Sequence, residues 1–161
     1  MSNILTAVRQ ALITKVQGIT TDNGFNTNLG HQVKTGWLNE VLPPKGPPLS
    51  GLPELFALIQ KAPNRPPERG PAAIKAYPGF FVIGLVKCDL ATYEDALDAM
   101  ELDICQALLP ASGVFPQGFP TGVTGLSLGA SEPFPPGDGQ RYAGVLVPIH
   151  ITTIIQERIR R

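Results

Sequence analysis

Charged side chains are scarce in this sequence, and neither sign of charge is in excess. Only 16% of its 161 residues are charged, with 13 basic and 13 acidic residues, against the ~25% of an average soluble protein. Phosphate-backbone binding needs clustered cations that displace counterions. The one local cluster, Arg158, Arg160 and Arg161, is typical of a solvated tail. The composition does not favour a nucleic-acid-binding protein, and the low charge indicates a surface partly covered by partners.

Metal-binding and redox residues are also few. The chain has two histidines and two cysteines, and no CxxC, HExxH or similar spacing. Cys88 and Cys105 lie among apolar residues, which favours free buried thiols over a disulfide. His31 and His150 fall in predicted strands, where a lone histidine is more often solvated or hydrogen-bonded than catalytic.

No constellation of acid, base and nucleophile is apparent. Asp98, Glu101 and Asp103 are expected on the solvated side of a helix, and the glycine-rich GVTGLSLG enters a strand, whereas a phosphate loop enters a helix. We therefore predict no catalytic residue, no metal ligand, no cofactor and no enzymatic activity. A small cytoplasmic enzyme or ligand-binding module remains the alternative of a different class.

Targeting signals are absent from the pattern. The N-terminus MSNILTAVRQ lacks the features of a signal peptide, and no apolar run reaches the ~18 residues of a membrane span. We expect a soluble protein, made in a cytoplasm, that does not enter a membrane.

Proline and glycine, by contrast, are abundant, with 17 residues of each. They crowd into stretches such as VLPPKGPPLSG and KAPNRPPERGP, where proline removes backbone donors and fixes φ. The length suits one domain. We predict a single domain over residues 1–161, with proline-rich loops at about 39–51, 61–71 and 110–122.

Hydrophobic periodicity predicts two helices and five strands. Apolar residues at helical spacing mark helices at residues 3–17 and 92–109. Residues 52–60 fit a helix by composition, but their short length and flanking prolines favour a strand. Pro148 cannot donate to a ladder, so the last strand is expected at a sheet edge or bulged there. The predicted strands are 31–38, 52–60, 76–88, 123–131 and 141–155.

The resulting fold class is α+β: a mainly antiparallel sheet of about four to five strands, with both helices packed on one face and long proline-rich loops. The strand at 76–88 is apolar on both faces, with Phe80 and Val82 on one side and Phe81 and Ile83 on the other. Helices are expected to cover one side. A neighbouring subunit, or the chain's own loops, would cover the other.

Several segments, in order along most of the chain, resemble small phage tail proteins of the tail terminator or minor tail protein U type. The first helix with GITTDNGFNTNLG resembles the opening of that family, and GLPELFALIQ is similar to its proline-led second strand. YPGFFVIGLVKCDLATYEDALDAMELDICQALL resembles its strand followed by a helix with an acidic start, and RYAGVLVPIHITTII its long final strand.

The resemblance implies a structural virion protein at the head-proximal end of the tail. Such proteins form a ring, expected to be a hexamer, that caps the tail tube, stops its polymerisation and contacts a neck or connector protein. Genomic DNA would pass through the lumen without sequence-specific binding. Another neck, head–tail joining or tail completion protein is the close alternative. The predicted subunit or partner contacts are Trp37, Phe81, Ile83, Leu85, Tyr142, Leu146 and His150.

Overall fold

The fold begins with an amphipathic helix, α1, at Ile4–Gln17. The computed structural model describes residues 3–43, 50–87, 93–109, 118–136 and 141–156. Asn3 caps α1 through a 2.8 Å hydrogen bond donated by the Thr6 amide, and Gly18 ends it. The four-residue apolar spacing buries one stripe of the helix: Val8, Leu12 and Val16.

The other α-helices and strands follow the predicted order, with one helix and one strand added, and two 3-10 turns, Thr21–Asn23 and Leu29–His31, lie between α1 and the first strand. A helical turn, α2, comes after the first strand, and a short strand, β5, lies between the predicted strands 123–131 and 141–155. The elements are β1 (Val33–Thr35), α2 (Leu38–Val41), β2 (Leu55–Gly70), β3 (Ala73–Lys87), α3 (Tyr93–Leu108), β4 (Val123–Leu128), β5 (Glu132–Phe134) and β6 (Tyr142–Gln156).

The predicted α+β class is confirmed, with six strands where four to five were expected. The sheet order is β1-β2-β3-β6-β4, and β5 pairs with β6 beyond the end of β4. β1 runs parallel to β2, and the other pairings among the described strands are antiparallel. The strand assignment of residues 52–60 is also confirmed, because Leu55–Gln60 belong to β2.

The main core lies between the sheet and the two long helices, on one face as predicted. Alternate residues of β3 and β6 point to it, and α1 and α3 cover them. Each such buried aliphatic side chain contributes about 1.5–3 kcal/mol. The sheet side of this core includes Ile59, Phe80, Val82, Val147 and Ile149.

A second, smaller core lies on the opposite face of the sheet, and this chain covers it with its own segments. Val41 and Leu42, from α2 and the residue after it, pack here with Leu52 and Phe134 of β5. Tyr142 is also buried, and its hydroxyl donates a 2.8 Å hydrogen bond to the Pro53 carbonyl. Two-sided burial at this end of the sheet therefore needs no neighbouring subunit.

The predicted loop at residues 61–71 is wrong. Residues up to Gly70 continue β2 as an exposed edge strand, paired with β3 on one side, while β1 pairs with Ala57–Ile59 on the other. Proline is tolerated at a sheet edge because its missing donor faces no partner strand. Two register shifts, between Ala62 and Arg65 and between Arg65 and Glu68, accommodate the prolines.

The other two proline-rich loops are described only in part. Within 39–51, residues 39–41 belong to α2, and residues 44–49 lie outside the described ranges. Within 110–122, residues 110–117 lie outside them, and 118–122 form turns before β4. Cys88 and the C-terminal arginines also fall outside.

The final strand is not at a sheet edge, because β6 pairs with β3 on one side and with β4 and β5 on the other. The Pro148 carbonyl accepts a 2.7 Å hydrogen bond from the Gly129 amide, beyond the end of β4. The missing donor of Pro148 therefore faces the break between β4 and β5. Pro148 is therefore accommodated by the break between β4 and β5, whereas a sheet edge or a bulge was expected.

Gly79 allows the backbone of β2 to lie close to β3 at the bulge after Ala62. A Cβ at this position would lie 2.3 Å from the Pro63 carbonyl oxygen, and the Gly79 amide donates to Asn64 Oδ1 at 3.0 Å. We expect Gly79→Ala to lower the free energy of unfolding by about 2–3 kcal/mol, because backbone must move to admit the methyl group. Gly70→Ala is the control, since its Cβ meets only Ala73 O at 3.6 Å. Equal urea midpoints for the two variants would contradict the close approach of the Pro63 carbonyl to residue 79.

Candidate assembly surfaces

A partly buried apolar strip lies on the face of the sheet opposite α1 and α3, next to the second core. Phe81 pairs across the strands with Pro148, and Leu146 is the neighbouring residue on the same face of β6. All three are partly buried, as is His150 further along β6. The His150 Nε2 lies 3.3 Å from the Pro63 carbonyl oxygen, so the imidazole contacts the bulged part of β2 on this face. An apolar strip of this kind suits contact with another protein surface.

Three of the seven predicted contact residues are buried in the second core. Ile83 and Leu85 are fully buried and Tyr142 is 6% exposed, because α2, β5 and the segment before β2 cover them. These three cannot form a subunit contact in the folded chain, and this part of the prediction is corrected. Phe81, Leu146 and His150 keep exposed surface together, and they remain predicted contact residues.

Trp37, the seventh predicted contact, is 51% exposed on the other side of the sheet. It borders a groove of about 300 Å³ with Arg9 and Gln10 of α1, beside Ile59 of the helix-covered core. The predicted contacts therefore do not form one continuous surface. Trp37 remains a predicted contact on a separate patch.

A basic arm lies at one end of the sheet, where β2 and β3 form a long hairpin and β6 pairs with β3 along it. We define the arm as residues 61–77; its charged side chains are exposed and comprise four cations and one carboxylate, Glu68. It ends in the turn Pro71–Ala72, where Ala72 holds a left-handed φ of 54° that L-residues rarely adopt. The exposed cations are Lys61, Arg65, Arg69 and Lys75.

Local contacts order the side chains on one face of the arm. The Arg65 guanidinium lies over the Tyr77 ring, 5.0 Å from its centroid. Desolvation raises the pKa of Tyr77, and a hydrogen bond with Glu68 raises it further. Arg69 is on the other face, in register with Ile74, which pairs in turn with Ile155 of β6. Sequence reasoning missed the arm because its prolines had indicated a loop.

An acidic groove lies at the opposite end of the sheet, between the first turns of α3 and β5. Its volume is about 370 Å³, and Leu97 and Phe134 contribute apolar lining. Its charged lining residues are Glu94 and Asp98. Asp98 is exposed, as the helical spacing predicted, but the groove itself depends on β5, which was not among the predicted strands.

Asp103 is a fully buried carboxylate, so its predicted place on a solvated face is wrong. The amides of Asn26 and Thr27 donate to it at 3.0 and 2.7 Å, and their side chains donate at 3.0 and 2.7 Å. This clamp ties the loop after α1 to the middle of α3. The four hydrogen bonds give both oxygens of this buried carboxylate partners within the protein.

The described ranges contain no group of three or more His, Cys, Asp or Glu side chains placed to hold a metal ion. Cys105 is a free, partly buried thiol. Desolvation raises its pKa, and the neighbouring Glu101 raises it further, which disfavours the reactive thiolate. None of the helices in the described part of the chain is long and apolar enough to cross a membrane.

Comparisons with known proteins show the fold and no more. No family model matches the sequence, and no curated protein matches it either. The structure is similar to a chain in the virion of a native gene transfer agent (GTA) particle, with a TM-score of 0.61. The two chains are 12% identical, and the match covers 96% of this chain and 100% of the other. This α+β fold therefore occurs over a whole chain of a virion structure.

Proposed function

We propose that this protein is a virion structural subunit that forms a ring on the head-proximal end of a phage-type tail, caps the tail tube and ends its polymerisation. The observation that carries the proposal is the whole-chain likeness to a chain of a gene transfer agent virion. The ordered resemblance of the sequence to tail terminator proteins supports the finer assignment. The family resemblance implies six copies in the ring.

The chemistry of the surface fits an assembly role better than a reactive one. Phe81, Leu146 and Pro148 leave apolar area partly exposed on the sheet face opposite α1 and α3. Opposite charges are concentrated at opposite ends of the sheet, on the arm and in the groove. A ring requires heterologous contacts, in which one patch of each copy meets a different patch of the next. The folded chain offers several such patches.

In the proposed assembly one side of the ring binds the tail tube protein and the other a neck or connector protein. The lumen passes genomic DNA without reading its sequence. Such passage needs no dense field of cations, in agreement with the formal net charge of zero. A strongly cationic lumen would hold the DNA by counterion release and slow its transit.

The test is capping of growing tail tubes. Purified protein is added to polymerising tail tube protein, and tube length and tube ends are measured by electron microscopy. We expect shorter tubes with a ring on one end, and unchanged tubes when an unrelated protein of the same size is added. Rings that bind only the connector side would assign the protein to the neck or head–tail joining class. No ring and no effect on tubes would contradict the proposal.

A further inference from the structure

The basic arm and the acidic groove lie too far apart to meet within one chain. β6 spans the distance between them: its start pairs with β5 at the groove, through Gly144, and its end pairs with the arm, through Gln156. Twelve residues of extended strand cover about 40 Å. The two patches therefore can meet only between two molecules.

The tip of the arm carries a cation beside apolar residues. Arg69 is exposed next to the Pro71–Ala72 turn, and Ile74 beside it is only partly buried. Prolines at 66, 67 and 71 limit the conformations of the tip. Ordering a stiff segment costs less entropy on binding than ordering a flexible one.

The groove offers the complementary chemistry. Leu97 and Phe134 provide apolar contacts, and Glu94 and Asp98 provide negative charge near the N-terminus of α3. α3 contains no lysine or arginine over Tyr93–Leu108, so no cation of its own helix neutralises these carboxylates. The volume of about 370 Å³ falls within the ~300–1,000 Å³ typical of clefts that enclose a ligand group.

We propose that the arm tip of one copy docks in the groove between α3 and β5 of the next copy. Arg69 pairs with Glu94 and Asp98, and the Pro71–Ala72 turn packs against the apolar lining. The contact joins opposite ends of successive copies, so it is heterologous and closes into a ring when the rotation between copies allows. This inference rests on the proposed ring and names the surfaces that hold it together.

A second copy is a better partner for the arm than DNA. The arm carries Glu68 among its cations, and its prolines lack the backbone donors that often bind phosphate oxygens. DNA bound to the arm would also leave Glu94 and Asp98 without a cation. Docking between copies satisfies both patches at once, within a chain of zero net charge.

The experiment is a charge-swap cycle. Arg69→Glu and Asp98→Arg are made singly and together, and association is measured by sedimentation at low salt. Each single variant is expected to weaken association by about tenfold or more, and the double variant to recover most of it. Asp95→Arg is the matched control, because Asp95 is exposed on the same helix but does not line the groove. Circular dichroism checks that every variant folds.

The outcomes separate this inference from the proposed ring. Rings of normal stability in both single variants would overturn the docking and leave the ring intact. A wild-type protein that stays monomeric would refute the ring itself. Intact Arg69→Glu rings that lose salt-dependent binding to a 30-base-pair duplex would assign the arm to DNA and overturn the inference. Weakening by Asp95→Arg equal to that by Asp98→Arg would also contradict the groove.

Discussion

Replacement of Ile83 by aspartate is expected to unfold the protein. Ile83 is fully buried in the second core, between Leu58 of β2 and Leu146 of β6 in the strand register. The substitution removes about 2–3 kcal/mol of apolar burial and leaves an unpaired carboxylate in an apolar site. The combined loss of about 5 kcal/mol or more is comparable with the whole stability of a small domain. Circular dichroism and urea unfolding measure it.

Phe81→Asp is the matched substitution, two residues earlier on the same strand face. Phe81 is only partly buried, so an aspartate there reaches solvent and is expected to cost about 1–2 kcal/mol of folding stability. In the proposed assembly this carboxylate lies in a subunit or partner contact. We expect a folded protein with impaired ring formation or tube capping. A folded Phe81→Asp variant with normal rings and normal capping would remove this strip from the assembly surfaces.

Asp103→Ala is expected to lower the free energy of unfolding by about 3–4 kcal/mol. The substitution removes the acceptor of four hydrogen bonds, and a hydrogen bond to a charged group contributes about 1.5–3 kcal/mol. The expected loss is smaller than the sum of four such bonds because the loop can relax after the substitution. The amides of Asn26 and Thr27 would lose their partners beside the core. Urea denaturation gives the loss, and hydrogen exchange of these two amides should show it locally.

Two further variants test the cause. Glu101→Ala removes a partly exposed carboxylate of the same helix and is expected to change stability by about 0.5 kcal/mol or less. Asp103→Asn keeps the shape but turns a donor toward the Thr27 amide, so it should lie between the other two. Equal stability of Asp103→Ala and Glu101→Ala would show that the clamp does not hold the loop.

Periodicity was sufficient for the helices and for the long strands of this fold. The stripes of α1 and α3 and the two apolar faces of β3 depend on short-range spacing, which one sequence displays directly. The same alternation separated Phe80 and Val82 from Phe81 and Ile83. The positions of these residues on opposite faces of the sheet are confirmed.

Features that depend on long-range contacts were not predictable from spacing. Asp103 is buried because Asn26 and Thr27, far away in sequence, supply four donors, and no local pattern links these positions. Ile83 and Leu85 are inaccessible to partner proteins because α2 and Phe134 cover them. The arm was missed because proline statistics describe central strands, whereas this segment lies at an edge.

In the proposed assembly, copies of this chain surround a central hole. Sedimentation of the purified protein over a wide concentration range, with electron microscopy of the same sample, tests it most directly. We predict one closed species, with the mass of six chains and a central opening, that persists on dilution. A single monomeric species at every concentration, or open filaments without closure, would contradict it.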